Sequence, residues 1–120
     1  GNPEIKSRIK SVQQSLSRNR MIQEVPEATV VVTNPTHIAV ALKYDQGSKD
    51  SAPKIVAMGQ RKIAQRIREV ATEAGVPIIE NKPLARNLFK SLKVGMEIPA
   101  VFYQAVAEIL AKVFMMKKNR

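Results

Sequence analysis

Two strand-like runs separated by a turn signal constrain the fold of this chain more than any other feature of its sequence. Residues 28–33 are Ala-Thr-Val-Val-Val-Thr, a β-branched run that is typical of a buried strand. Asn34-Pro35 follows as a turn signal. A second strand is predicted after it, with one face formed by Ile38, Val40, Leu42 and Tyr44. Strands this apolar need covering layers, so the chain is predicted to fold around a sheet.

The rest of the chain supplies two more strands and the helices that cover them. Strands are predicted at 54–58 and 76–80, and helices at 60–74, 83–92 and from Pro99 onward. Gly75 follows the first of these helices, where a left-handed residue is favoured. The inward faces follow the helical period: Ile63, Ile67, Val70, Ala71 and Ala74; then Leu84, Leu88 and Phe89; then Phe102, Ala105, Val106, Ile109, Leu110 and Val113. The predicted fold class is α/β, a small four-stranded sheet covered by helices.

Residues 1–25 are predicted to form a basic linker helix that projects from the domain. One narrow apolar stripe at helical spacing is formed by Ile5, Ile9, Val12 and Leu16. So little apolar surface does not stabilise a core helix, and most charged neighbours are basic: Lys6, Arg8, Lys10, Arg18 and Arg20. Two interpretations stay open: a segment beside a membrane, whose cytoplasmic flanks are rich in Lys and Arg, and a solvated helix packed loosely on the domain. The domain itself is assigned to 26–115, with a polar loop at 46–50 and a basic, fraying tail at 116–120.

Composition excludes several classes of function. The 120 residues include no cysteine and a single histidine, His37, which excludes disulfides, thiolate metal sites and multi-histidine metal centres. No cofactor is predicted, and no apolar run approaches the ~18 residues that a membrane span needs.

The net charge of +10 favours anionic partners such as nucleic acid, phospholipid headgroups or acidic proteins. A nucleic-acid-binding module is the alternative from another class. Against it stand the scarcity of aromatic residues for base stacking, 4% of the chain, and the spread of basic residues over several elements.

The chemistry of the chain is predicted at Asn34-Pro35. Asparagine ordinarily degrades when the backbone nitrogen of the next residue attacks its side chain, but proline has no N–H. The reverse reaction stays open: the Asn34 carboxamide nitrogen attacks the backbone carbonyl carbon of Asn34 itself. A succinimide forms, and Pro35 leaves as a new N-terminus. The sequence therefore predicts a chain that cuts its own backbone once. Because nothing is regenerated, such a chain is not a turnover enzyme.

A folded domain accelerates this reaction through the geometry of the turn. Orientation of the nitrogen is worth up to ~7–11 kcal/mol, backbone strain ~1–3 kcal/mol, and each donor to the developing oxyanion ~3–4 kcal/mol. Thr36 and His37 are predicted to shape the turn, with His37 as a proton acceptor or donor. The alternative is an inert turn in a plain structural scaffold, since Asn-Pro commonly opens turns.

The remaining candidate residues are basic and are predicted to bind partners. One set lies on the helix predicted at 60–74 and comprises Arg61, Lys62, Arg66 and Arg68. These residues either receive acidic partners or form solvated helix surface. Arg86, at the opening of the following helix, either binds a partner or forms a structural salt bridge, and the salt bridge is favoured.

Four regions of the chain resemble one family in the same order. Asn34-Pro35-Thr36-His37, followed by Ile-Ala-Val-Ala-Leu at 38–42, resembles the self-cleavage site of the type III (flagellar-type) export-switch family, which includes FlhB, YscU, EscU and SpaS. The other matching segments are Ser-Ala-Pro-Lys-Ile-Val at 51–56, Val-Pro-Ile-Ile-Glu at 76–80 with Pro-Leu-Ala-Arg at 83–86, and Gly-Asn-Pro-Glu-Ile-Lys at 1–6. The residue sequence at 51–56 favours the flagellar branch over the virulence (injectisome) branch.

The resemblance implies a role that composition does not show. The parent protein would have an N-terminal membrane domain, absent here, in the bacterial inner membrane, with this domain on the cytoplasmic face. Cleavage at Asn34-Pro35 would leave both pieces associated. It would permit a switch from rod and hook (or needle) substrates to filament-type (or translocator) substrates. The implied partners are other cytoplasmic components of the export apparatus, exported substrates and a length-control protein, with no nucleic acid.

Overall fold

The computed structural model describes residues 1–47 and 51–118 of the chain. In this part, the strands are β1 (Val30–Asn34), β2 (Ile38–Lys43), β3 (Lys54–Gln60) and β4 (Ile78–Glu80). The α-helices are α1 (Pro3–Glu24), α2 (Lys62–Ala74), α3 (Lys82–Ser91) and α4 (Tyr103–Lys118), with short 3-10 helices at Val25–Glu27 and Ala100–Phe102. The predicted order of elements and the predicted α/β class are both confirmed.

The strands form one mixed sheet in the order β3-β2-β1-β4. β2 pairs antiparallel with β1 and with β3, while β4 pairs parallel with β1. A turn of three residues joins β1 to β2, as antiparallel neighbours allow, whereas the parallel strand β4 requires a crossover. That crossover is α2, which takes the chain from one edge of the sheet to the other. β1 therefore lies inside the sheet, between β2 and β4.

The alternation of side chains along the strands divides the core into two layers. Val30 and Val32 face one layer with α3 and α4, while Val31 faces the other with α2 and the end of α1. On β2 the large residues Ile38, Val40 and Leu42 share the first layer. The second face of the sheet has small residues, namely Ala39, Ala41 and Ala57. Small side chains let α2 approach the sheet closely through its own buried Ala64 and Ala71.

The start of α2 differs from the prediction. A helix from residue 60 was expected, but β3 continues through Gly59 and Gln60, which pair with Ala39 and Ile38 of β2. The helix begins at Lys62. Its buried face is also shifted, because Ala64 is buried whereas Ala74, at the far end of the helix, is exposed. The predicted stop is confirmed, since Gly75 has φ 75° and caps the helix in the left-handed conformation.

The helices on the other face follow the predicted pattern with small adjustments. Asn81 caps α3 by accepting a hydrogen bond from the backbone N–H of Leu84 at 3.1 Å. Leu84 and Leu88 are buried as predicted, Phe89 is half-buried, and Ala85 is an additional buried residue. α4 continues to Lys118, so the described part of the predicted fraying tail is helical. Residues 119–120 and loop residues 48–50 lie outside the described residues.

The predicted projecting N-terminal helix is confirmed in α1, whereas its role as a linker stays a prediction. Asn2 caps its N-terminus by accepting a bond from the N–H of Glu4 at 2.9 Å, and the helix ends at Glu24 rather than near residue 20. The apolar stripe does not join the core, since its four residues are 52–58% exposed; Ile22, near the end of the helix, is the buried one. Among the described residues, no helix has the length and apolar character needed to cross a bilayer.

Candidate functional site

The predicted reactive dipeptide lies in the tight turn between β1 and β2. The backbone N–H of His37 donates a hydrogen bond of 2.8 Å to the carbonyl oxygen of Asn34, which closes a four-residue β-turn with Pro35 at its second position. Proline fits there because its ring fixes φ near the value that the turn requires. The structure therefore brings together all four residues predicted for the reaction, from Asn34 to His37.

Backbone bonds from two other junctions of the fold brace this turn. On one side, the N–H of Arg61, between β3 and α2, donates to the carbonyl oxygen of His37 at 3.0 Å. On the other, the N–H of Asn81, between β4 and α3, donates to the carbonyl oxygen of Thr33 at 2.9 Å. The residues predicted for the reaction are thus held at one end of the sheet, next to the points where β3 leads into α2 and β4 leads into α3.

Burial changes steeply along the turn. The three valines of β1 are fully buried and Thr33 is 3% exposed. Asn34 and Pro35 are half-buried, while Thr36 and His37 are exposed. The peptide bond between Asn34 and Pro35 consequently lies at the boundary between core and solvent. Its carbonyl is held by the protein, and the residues that follow it are accessible to a partner.

The turn provides one group that the predicted reaction requires. Attack on the Asn34 carbonyl carbon places negative charge on the carbonyl oxygen, and a preorganised donor stabilises that charge. The backbone N–H of His37 already occupies this position at 2.8 Å. Within residues 1–47 and 51–118, the imidazole of His37 makes no hydrogen bond or ion pair, and it is exposed. The main chain of His37, rather than its side chain, therefore contacts the Asn34 carbonyl.

The predicted partner-binding residues do not form one surface. Arg61, Lys62 and Arg66 are exposed at the start and on the outside of α2. Arg86 is exposed on α3, on the opposite face of the sheet. The salt bridge favoured for Arg86 is absent among residues 1–47 and 51–118, in which Arg8 and Glu4 at 3.5 Å form the ion pair.

Arg68 differs from the other basic residues of α2. It is half-buried rather than exposed. Its Nη1 atom is buried and has no hydrogen-bond partner within the described residues. Of the two interpretations given for the basic residues of α2, fully solvated helix surface does not describe Arg68, whereas binding of an acidic partner stays a prediction.

Two residues that brace the turn were missed at the sequence level, at least in this role. Arg61 was predicted only as a side chain for partners, and Asn81 was not singled out. Both act through backbone N–H groups, which every residue except proline has. No local signal in the sequence distinguishes them, since each reaches the turn from a distant part of the chain.

The chain matches the FlhB HrpN YscU SpaS family over residues 1–113. It is 52% identical over 119 residues to the flagellar biosynthetic protein FlhB of Aquifex aeolicus, covering 99% of this chain and 34% of that protein. It is 48% identical over 120 residues to FlhB of Escherichia coli, covering 100% of this chain and 31% of that protein. The chain thus spans about a third of the length of these relatives.

Solved structures of related domains have the same fold. The cytoplasmic domain of FlhB from Shewanella putrefaciens matches with a TM-score of 0.79 and 41% identity, over 85% of this chain and 78% of that one. An EscU C-terminal domain with an asparagine mutated to alanine matches with a TM-score of 0.72 and 32% identity, over 78% of this chain and 92% of that one. A second EscU domain, with the directly following proline mutated to alanine, matches with a TM-score of 0.71 and 33% identity, over 76% of this chain and 89% of that one.

Proposed function

Because this chain belongs to the FlhB HrpN YscU SpaS family, we propose that it is the cytoplasmic domain of a flagellar export component that cuts itself once, between Asn34 and Pro35. The observation that supports cleavage most is the braced turn, in which the Asn34 carbonyl accepts a hydrogen bond from the main chain of His37. The relatives named above add support, since one solved EscU domain has an asparagine mutated and another has the directly following proline mutated.

The proposed reaction needs no group outside the turn. The Asn34 carboxamide nitrogen forms a bond to the Asn34 carbonyl carbon, and the electron pair of the C=O bond moves onto the oxygen facing the His37 N–H. When the carbonyl reforms, the bond to the Pro35 nitrogen breaks. The proton lost by the carboxamide ends on that nitrogen, which becomes a secondary amine. Water later opens the succinimide at the end of the first fragment.

The fold favours continued association of the two pieces. β1 remains between β2 and β4 after the cut, bonded on both edges. Its three valines are fully buried, and burial of each such side chain is worth about 1.5–3 kcal/mol. The first fragment also anchors through Ile22 and Val25, both buried in the second layer. Loss of the one peptide bond between Asn34 and Pro35, at the boundary between core and solvent, removes none of these contacts.

Cleavage would change the surface around the turn rather than the core. Pro35 would become a charged N-terminus, and the segment from Pro35 to His37, of which Thr36 and His37 are exposed, would lose its covalent bond to Asn34. We propose that this change switches the substrate class that the export apparatus accepts. The partners would be other cytoplasmic export components, exported substrates and a length-control protein, with the parent protein in the inner membrane. The flagellar branch is favoured because the relatives at 42–52% identity are FlhB proteins.

Intact mass spectrometry of the purified chain tests the cleavage. We expect two masses for wild type, corresponding to 1–34 and 35–120, and one uncut mass for Asn34→Ala. Freshly formed 1–34 should be lighter by one water than the hydrolytic product, because it ends in a succinimide. A first fragment that never shows this deficit, or cleavage of Asn34→Ala at the same bond, would refute cyclisation.

The chain contains its own matched control, a second Asn-Pro pair at Asn2-Pro3. There the carboxamide oxygen is occupied by the N–H of Glu4 at the start of α1, and the residue is exposed. We expect no cut after Asn2 on the timescale of the cut after Asn34. Equal cleavage at both pairs would mean that the dipeptide alone suffices and that the braced turn has no role.

A further inference from the structure

His37 is held by backbone bonds on both sides of its α-carbon. Its N–H donates to the Asn34 carbonyl oxygen at 2.8 Å, and its C=O accepts from the N–H of Arg61 at 3.0 Å. The first bond places a donor at the oxygen that becomes negative during cleavage. The second bond fixes the orientation of the residue that supplies this donor. Thr36 and His37 are otherwise exposed, so few contacts restrain them.

Arg61 reaches this position at a conformational cost. It has φ 56° and ψ −119°, and it is the non-glycine residue with positive φ in residues 1–47 and 51–118. A residue with a β-carbon seldom adopts such a φ. Strained residues persist only where surrounding structure determines them, and they cluster at functional sites.

The surrounding structure that determines Arg61 is the close contact between β3 and the first turn of α2. A β-carbon placed on Gly59 would lie 2.2 Å from Cγ2 of Ile63, so helix and strand meet there with no room for a side chain. Gly59 and Gln60 are fixed in turn by pairing with β2. The chain must therefore turn sharply at residue 61, and this turn points its N–H at the reactive loop.

We propose that Arg61 is a positioning residue for the cleavage of Asn34-Pro35: its main-chain N–H holds the His37 carbonyl, so that the His37 N–H stays on the Asn34 carbonyl oxygen. The guanidinium group is not required for this role. The inference rests on the proposed self-cleavage, and it adds the β3–α2 junction to the parts of the fold that set the cleavage rate.

The test deletes single backbone donors. Incorporation of the α-hydroxy analogue of arginine at position 61 replaces the peptide N–H by an ester oxygen and keeps the side chain. The same replacement at Arg66, inside α2, deletes a backbone donor that does not face the turn. Each chain is synthesised in a cell-free translation system with a short radioactive pulse, and the fraction cut after Asn34 is followed on denaturing gels. Parallel Asn34→Ala versions report folding through their urea midpoints.

We expect the ester at position 61 to slow cleavage about tenfold, the usual effect of losing one hydrogen bond of moderate strength. The ester at Arg66 should change the rate by less than about twofold, although it also deletes one backbone donor, in this case inside α2. Arg61→Gly keeps the N–H and tolerates positive φ, so it should cleave at least as fast as Arg61→Ala. Arg61→Pro removes the N–H and forbids positive φ, and it should be the slowest of the substitutions.

Two results would overturn the inference. One is a wild-type rate in the ester at position 61. The other is equal slowing by both esters, which would show that the loss of any backbone donor in this region, rather than of the bond to His37, slows cleavage. If Arg61→Pro does not fold in the Asn34→Ala background, the comparison of cleavage rates between the two ester variants still tests the role of the Arg61 N–H. Failure of the proposed function is a separate outcome, because the wild-type chain would then stay uncut whatever stands at position 61.

Discussion

The strand that ends at the proposed cleavage site offers the sharpest quantitative test of this fold. Val32 lies in the middle of β1, opposite Val40 on β2 and Ile79 on β4. Its side chain is fully buried in the layer formed with α3 and α4. Val32→Ala removes two methyl groups from this layer and leaves the backbone pairing unchanged.

The expected cost follows from the volume removed. Each buried methyl or methylene group is worth about 0.8 kcal/mol of transfer free energy, so the two together give about 1.6 kcal/mol. A cavity term adds to this value, because sheet and helices on both sides of Val32 prevent collapse, and we expect a total of about 2–3 kcal/mol. For a chain of 120 residues, this loss corresponds to a decrease in Tm of about 8–12 °C.

Urea unfolding followed by circular dichroism measures this cost in the uncut Asn34→Ala background. We expect a lower midpoint for Val32→Ala with an unchanged slope, since the surface exposed on unfolding is nearly the same. Val12→Ala is the matched control, with the same two methyl groups removed from a side chain that is 57% exposed. It should change the free energy of unfolding by less than about 0.5 kcal/mol.

If the chain is cut as proposed, the same substitution has a second consequence in the cut protein. There, β1 belongs to a separate fragment, so the free energy lost on removing two methyl groups becomes a loss of affinity between fragments. A cost of 2–3 kcal/mol corresponds to roughly 30- to 150-fold weaker association. Exchange of a fluorescently labelled 1–34 fragment against unlabelled fragment measures this ratio directly.

One pair of results would refute the reasoning about β1. If Val32→Ala costs no more than Val12→Ala in the uncut chain, then β1 is not the buried inner strand described here. If it destabilises the uncut chain but leaves fragment exchange unchanged, then the cut protein does not retain β1 in the sheet, and the proposal of lasting association is wrong.

Two further substitutions test the junctions that brace the turn. Gly59→Ala should lower the free energy of unfolding by about 1–3 kcal/mol through overpacking, because its new β-carbon would overlap Ile63. The control is Gly47→Ala, whose β-carbon would lie 3.5 Å from a side-chain oxygen in an exposed loop. Equal urea midpoints for the two variants would contradict the close contact at Gly59. Asn81→Ala should lower the free energy of unfolding by about 1 kcal/mol by removing the cap of α3. Asn2→Ala removes the cap of the projecting α1, so it should change local helicity but shift the urea midpoint by less than half of the shift caused by Asn81→Ala. The reverse order of midpoints would mean that α3 does not depend on its cap.

The side-chain patterns in the sequence were sufficient for the type and order of the elements and for most of their buried faces. Period-two alternation placed Ile38, Val40 and Leu42 on one side of β2, and the structure confirms this. Gly75 marked the end of α2 because few other residues adopt its conformation. The exposed stripe of α1 was also predictable, since its apolar face is too narrow to stabilise the helix by packing against the core.

The boundary at the start of α2 was not predictable from local patterns. Residues 59–61 were assigned to the helix or its entry, yet Gly59 and Gln60 extend β3 because β2 provides partners for them. Hydrogen bonding to a neighbouring strand depends on residues some twenty positions away in the chain, and it overrides local preference. The same long-range pairing sets the sharp turn at Arg61.

For the candidate site, the sequence alone identified the kind of bond proposed to break, because an asparagine followed by proline can cyclise only through attack on its own carbonyl carbon, but it has two such pairs, Asn2-Pro3 and Asn34-Pro35. It also determined the order of the strands and helices, through the spacing of apolar side chains. Only the tertiary structure decided that β1 lies inside the sheet and that the main chain of Arg61 reaches His37. Those contacts join backbone groups from separate segments, and backbone groups are the same in nearly every residue, so no pattern of side chains encodes them directly.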